Sequence, residues 1–224
     1  MVDVLHTCDQ GITSHIIGNI FADCIIRDVF GGGSRDRNAA LLHSRVDAWS
    51  KEVKVDSRVQ GAITWERIRT TNGFPKFKAK AAATRHLMPF ALRLAQEFCE
   101  KRVVALAQLM VEFYQILERD DPLILSELSI RRLPTIGRQV CAIYGHLSRE
   151  HYEQQQRAYK LVPKFHLFLH LCEWQIPETK LNPRSYWTYA DEDVVGQLVE
   201  VAEHCHVRTL PSTALAKWIL LALD

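Results

Sequence analysis

The chain has no C-x-x-C pair, although it contains six cysteines (Cys8, Cys24, Cys99, Cys141, Cys172 and Cys205). Their wide spacing among apolar neighbours argues against a disulfide framework and for reduced, buried thiols in a cell interior. No apolar run approaches the roughly 18 residues that span a bilayer, and "WILLALD" is only a short core-like segment. The opening "MVDVLHTCDQ" carries an acid at position 3 and no basic leader, unlike a signal peptide. Internal repeats and low-complexity tracts are also lacking. Net charge is only +2, so the whole-chain balance implies no partner. With 47% hydrophobic and 24% charged residues, the 224-residue chain has the composition of a soluble globular protein rather than a disordered one.

The distribution of charge carries more than its sum. Between Trp65 and Arg102, the bases Arg67, Arg69, Lys76, Lys78, Lys80, Arg85, Arg93, Lys101 and Arg102 face only Glu66, Glu97 and Glu100. From Tyr186 to His206 the acids Asp191, Glu192, Asp193, Glu200 and Glu203 occur with no Lys or Arg. One region is suited to phosphate and the other to cations, and either is equally well read as a solvated face.

Apolar spacing predicts a mainly α chain. Ile12, Ile16, Ile17, Ile20, Phe21, Cys24 and Ile25 fall at i, i+3 and i+4 steps, the pattern of one buried helix face. "GGGS" (Gly31 to Ser34) ends that helix and a second begins near Arg35. "RTTNGFPKFKAK" reads as a loop, since Asn72-Gly73 and Pro75 are turn signals. A long helical run from Ala83 to Arg119 follows, which Pro89 either kinks or divides. Pro122 and Pro134 are expected to break the next stretch into two or three helices. Pro211, Ser212 and Thr213 mark a last helix start. The β-prone "MVDVLH" predicts a short strand over residues 2–6. An isolated strand is unstable, so it needs a partner late in the chain or upstream of it, and the chain reads as the C-terminal part of something longer.

Three places carry candidate chemistry. Asp3, His6 and Asp9 cluster around that expected strand end, where a carboxylate projects toward a metal. Residue chemistry alone favours a plainer role, with Asp3 starting local structure and Asp9 capping the next helix. His166 and His170 stand at i and i+4, a spacing that chelates zinc, with Glu173 one turn on and His204 and His206 further along. The zinc-protease pattern is not met, so buried, hydrogen-bonded histidines are the favoured reading and zinc the disfavoured one. Third, "YWTYADEDVVG" places Asp191, Glu192 and Asp193 at a helix start, where acids complement the positive helix end. Gly196 costs that helix about 1 kcal/mol against Ala and so marks close packing. Local physics does not choose among the three acids.

Read together, "DVLHTCDQGITSHIIGNIF", "PKFHLFLHLCE" and "WTYADEDVVGQLVE" resemble the C-terminal half of a CACTA (En/Spm-type) transposase. Asp3, Leu5, His6, Asn19 and Phe21 match the pattern around that family's second acid, with Leu5 in place of a Met. His166, Leu167, His170 and Leu171 match its His-Leu-x-x-His-Leu segment. Trp187, Tyr189, Glu192 and Gly196 match its last acidic motif, with Asp193 in place of an Arg. "NPRSYWTYADEDVVG" is also similar to a multicopy group of dinoflagellate proteins of transposon descent. The resemblance touches both ends of the chain and does not extend to residues 31–160.

The resemblance implies a remnant of an RNase H-like core (strand plus helix over 1–30), a helical insertion (31–160) and a C-terminal helical part (161–224). It implies two-metal phosphoryl transfer on DNA, with Asp3 and Glu192 as catalytic Mg²⁺ ligands. Arg67, Arg69, Lys76, Lys78, Lys80 and Arg85, within the basic stretch 65–102, would hold the DNA backbone without reading sequence. It also implies a nuclear location and allows a homo-oligomer. The family's first acid would precede Asp3, so the expectation is a truncated element with little or no catalysis. Two other readings stand beside it: a non-enzymatic helical DNA-binding or protein-interaction module, and a helical zinc protein built on His166 and His170.

Overall fold

The computed structural model describes residues 1–69 and 73–189, and beyond them residues 199, 201–203, 205, 213 and 216. The chain divides into two units, Met1–Tyr186 and Trp187–Asp224. In the second, the rings of Trp187 and Tyr189 meet edge to face with centroids 4.9 Å apart. Residues 201–203 are helical, and the Cys205 thiol donates to Val201 O at 3.2 Å.

The first unit is built on its N-terminal segment, and here the structure corrects the expected strand. Residues 2–6 do not form one. Wide, π-type helical turns run over Leu5–Thr13, kinked at Gly11 where the backbone is not helical, and lead into α1 (Ser14–Ile26). The cause is local and tertiary together. Asp3 accepts from Leu5 N–H at 3.3 Å and His6 N–H at 2.9 Å, and its carbonyl accepts from Thr7 N–H. Those bonds satisfy the free donors of a helix start. Val4, Leu5, Cys8, Ile12, Ile16, Ile17 and Phe21 are then fully buried, and β propensity yields to burial on several sides. The apolar face predicted for α1 is buried throughout. Among the described residues there is no β-strand, only isolated bridges at Arg69–Pro75 and Ile124–Leu181.

After α1 follow α2 (Arg35–Glu52), the short α3 (Trp65–Ile68), α4 (Ala81–Phe98), α5 (Lys101–Arg119), α6 (Glu127–Glu153), α7 (Lys164–His170) and α8 (Ile176–Thr179), of which α2, α3 and α4 pack on α1. Ser34 and Ser126 cap α2 and α6, each accepting from the backbone N–H three residues on. α4 packs on α5, α5 on α6, and α4 and α7 on the N-terminal turns. Edge-to-face aromatic pairs fill the core, Phe21–Phe77 at 5.4 Å and Phe113–Phe168 at 5.1 Å.

Pro134 does not break its helix. It lies inside α6, and Pro89 lies inside α4. A proline in mid-helix removes one backbone bond and crowds a carbonyl, at a cost of about 3 kcal/mol, which burial of Leu87, Met88, Phe90, Leu133 and Ile136 offsets. The break in the long run falls instead at Cys99–Glu100, both extended, between α4 and α5. Among the described residues no helix is long and apolar enough to cross a membrane, and all six cysteines are free thiols.

Candidate functional site

Asp3 is occupied with local structure. Besides the two amide bonds, its Oδ2 lies 2.6 Å from His6 Nδ1. Asp9, expected as a helix cap, is instead fully buried inside the helical turns, where it accepts from Tyr114 Oη at 2.5 Å. Tyr114 Oη also lies 2.8 Å from Thr13 Oγ1. Asp191, Glu192, Asp193 and Gly196 lie outside the described residues, and so do His204 and His206.

His166 and His170 do meet, as their spacing predicts. Their Nε2 atoms are 2.9 Å apart, and His170 leans on the Trp174 ring with centroids 4.4 Å apart. Glu173 turns away and accepts from Arg138 at 2.8 Å. Among the described residues no group of three or more His, Cys, Asp or Glu side chains is placed to hold a metal ion.

The six bases read as a DNA contact separate into two kinds. Arg67 is a structural hub. Its guanidinium donates to the carbonyls of Gln60, Gly61 and Ala62 and to Lys78 O, and it lies over the Phe77 ring. Arg69 donates to Gly73 O at 2.6 Å and covers Trp65. The Arg85 side chain is largely buried, beside His86 and 3.9 Å from Glu118. Lys78 and Lys80 are exposed, and Lys76 is half-buried. These lysines alternate along the extended segment 75–80 with buried Pro75 and Phe77.

That segment is strapped to α1. Phe77 N–H donates to Ser14 O at 2.8 Å, and His15 Nδ1 lies 3.2 Å from Pro75 O. Since a carbonyl only accepts, the His15 proton sits on Nδ1. Gly18 allows the approach, because a Cβ there would come within 2.7 Å of the Lys76 and Phe77 backbone. Asn19 ties in the next segment, donating to His15 O at 2.7 Å and accepting from Tyr159 N–H at 2.9 Å.

The strap thereby brings residues 157–164 to the basic segment. The side chains of Arg157 and Arg69 both close in on Gly73, where a Cβ would stand 3.3 Å from Arg157 and 3.4 Å from Arg69. Lys160 lies over the Phe74 ring at 5.7 Å, and Lys164 Nζ donates to His6 O at 2.6 Å. The charges feel one another. Burial depresses the Lys164 ammonium, and Lys76 depresses it further, with Asp3 offsetting part of the effect. Burial pushes His15 down to about 4, and Lys76, Lys160 and Lys164 add to that shift against the Pro75 hydrogen bond. Arg157, Lys160 and Lys164 were missed by sequence reasoning. The run "RAYKLVPK" was their signal, but only the fold joins it to residues 69–80.

Beside Arg69 and Arg157 a cavity of about 910 Å³ opens, lined also by Trp65, Asp23, Glu150 and His151. Asp23 is raised by its burial there and accepts weakly from the Cys99 thiol at 3.8 Å. Comparison of the chain with protein families, with curated proteins and with solved structures gave no match.

Proposed function

We propose that this protein is a helical module that binds the phosphate backbone of duplex DNA through a surface made by Lys76, Lys78, Arg157, Lys160 and Lys164. One observation carries the reading: bases from two distant segments, 76–78 and 157–164, converge beside the α1 strap, where burial first and repulsion from Lys76 second depress the Lys164 ammonium. A polyanion relieves that repulsion and releases its own counterions, which makes such a surface favourable for phosphate and not for sequence readout. The resemblance to CACTA-type transposases supports DNA as the polyanion. Mg²⁺-dependent strand transfer through Asp3 and Glu192 rests on that resemblance alone and is the lesser reading, because Asp3 is engaged as a helix cap.

The test is binding of the full chain to a labelled duplex across a salt series. The expected result is a log-log slope of about −0.9 for each phosphate neutralised, little dependence on sequence, and loss of most affinity in Lys76→Glu/Lys160→Glu. Affinity unchanged in that variant, with its helical content intact, overturns the reading.

A further inference from the structure

The His166–His170 pair has a geometry that the zinc reading of its spacing does not capture. Both side chains stand on α7, one turn apart, with Nε2 atoms 2.9 Å from each other and rings at 85°. With Trp174, Gln175 and Glu178 they line a surface hollow of about 480 Å³. Two imidazole nitrogens bound to one ion at about 2.0 Å stand about 2.8 Å apart when the angle at the metal is 90°, and about 3.3 Å apart when it is tetrahedral. The observed 2.9 Å is the length of the hydrogen bond between the two rings, and it already lies closer to the cis edge of a tetragonal ion than to a tetrahedral edge. Nitrogen and oxygen donors in that geometry select Cu²⁺ or Ni²⁺, and Cu²⁺ binds more tightly.

We propose that His166 and His170 form a bidentate surface site for a tetragonal divalent ion, Cu²⁺ in preference to Ni²⁺ and Zn²⁺. Glu178, on the same hollow, supplies compensating charge, and water fills the remaining positions. Glu173 takes no part, being held by Arg138. A two-histidine chelate needs no third protein donor, since water completes its coordination, whereas a closed tetrahedral zinc site takes three or four protein ligands. In the metal-free neutral pair one Nε2–H donates to the other Nε2, so the rings are opposite tautomers. Binding needs a lone pair on both Nε2 atoms. The donor ring therefore moves its proton to its own Nδ1 through solvent, and the neutral pair releases no net proton.

Trp174 makes the site readable, because its ring lies 4.4 Å from His170 and Cu²⁺ quenches a nearby indole. The full chain is titrated with Cu²⁺ while tryptophan fluorescence is followed, and calorimetry gives the stoichiometry. The expected result is one equivalent bound with partial quenching, and at least tenfold weaker binding in His166→Gln or His170→Gln. Trp174→Phe should lose the quench and keep the calorimetric signal. Undiminished binding in the double histidine variant, or tighter binding of Zn²⁺ than of Cu²⁺, overturns the assignment. Should a variant fail to fold, Cu²⁺ protection of these two histidines from carbethoxylation in the unaltered protein decides the matter, and absence of protection overturns it equally.

Discussion

Tyr114 donates to Asp9 across the middle of the core, Oη to Oδ1 at 2.5 Å, joining α5 to the turns that lead into α1. Both residues are buried, Asp9 completely. Burial and the Asp9 charge together push the Tyr114 phenol well above its usual range, so it remains a donor throughout the accessible pH scale. Tyr114→Phe takes one donor from a buried acid and leaves the packing in place. The expected cost is about 2–4 kcal/mol, since removing a partner from a buried charged group exposes its desolvation penalty. Urea unfolding at pH 7 measures it. A loss below a few tenths would mean that the bond contributes nothing net.

His15 gives the fold a pH dependence with a defined window. Its folded value is near 4, against an ordinary value of 6.5. Above 6.5 the group is neutral in both states and contributes nothing to the pH dependence. As pH falls from 6.5 toward 4, the unfolded chain takes up the proton first, so stability falls. The full difference amounts to about 3 kcal/mol, reached near pH 4. Comparing the native protein with His15→Gln at pH 7 and pH 4.5 isolates the effect. The variant should lose less stability on acidification, and equal losses would place the pH dependence elsewhere.

The helical class and the buried face of α1 were legible because both rest on periodic apolar residues, which the helix period reports directly. The strand over residues 2–6 was misread because Val2 and Val4 advertise strand locally. The deciding facts, Asp3 capping Leu5 and His6 and the burial of Val4 and Leu5, are partly tertiary. Pro134 was misread for a similar reason, since its local cost is offset by a buried face. In the site, the i,i+4 spacing of His166 and His170 survived intact because both lie on one helix. Charge counting did worse. It could not tell Arg67, committed to backbone carbonyls, from Lys78, exposed on the same stretch, nor join Lys160 to Lys76 from far along the chain.

Gly18 is the point at which the basic segment touches the central helix. A methyl group there would stand 2.7 Å from backbone atoms of Lys76 and Phe77, which have no flexible end to move aside. Gly18→Ala should gain slightly in helix propensity, and overpacking should cost about 1–3 kcal/mol, leaving a net loss. It should also push residues 75–78 off α1, breaking the Phe77–Ser14 and His15–Pro75 bonds. Thermal melts measure the first effect. Faster hydrogen exchange at the Phe77 amide measures the second, and a variant as stable as the native protein would show that the contact is not restrictive.

Arg67 and Lys78 lie eleven residues apart on one basic stretch, joined by the bond from the Arg67 guanidinium to Lys78 O, and they are expected to fail in opposite ways. Arg67 serves the carbonyls of the exposed residues Gln60, Gly61 and Ala62, so Arg67→Gln removes the cross-link that holds this loop and loosens it before α3. Its guanidinium also covers Phe77. A stability loss of about 0.5–1.5 kcal/mol should follow, with the salt slope of DNA binding preserved at temperatures where the variant is folded. Lys78 and Lys80 point to solvent, so Lys78→Gln/Lys80→Gln should change stability by less than about 0.5 kcal/mol. The Lys78 change alone should lower the magnitude of the salt slope by about 0.9. Melting curves and duplex titrations on the same two variants separate the outcomes. A reversal, in which Arg67 sets the slope and the lysines set the stability, would mean that the loop opens on binding and that its guanidinium transfers from carbonyl to phosphate.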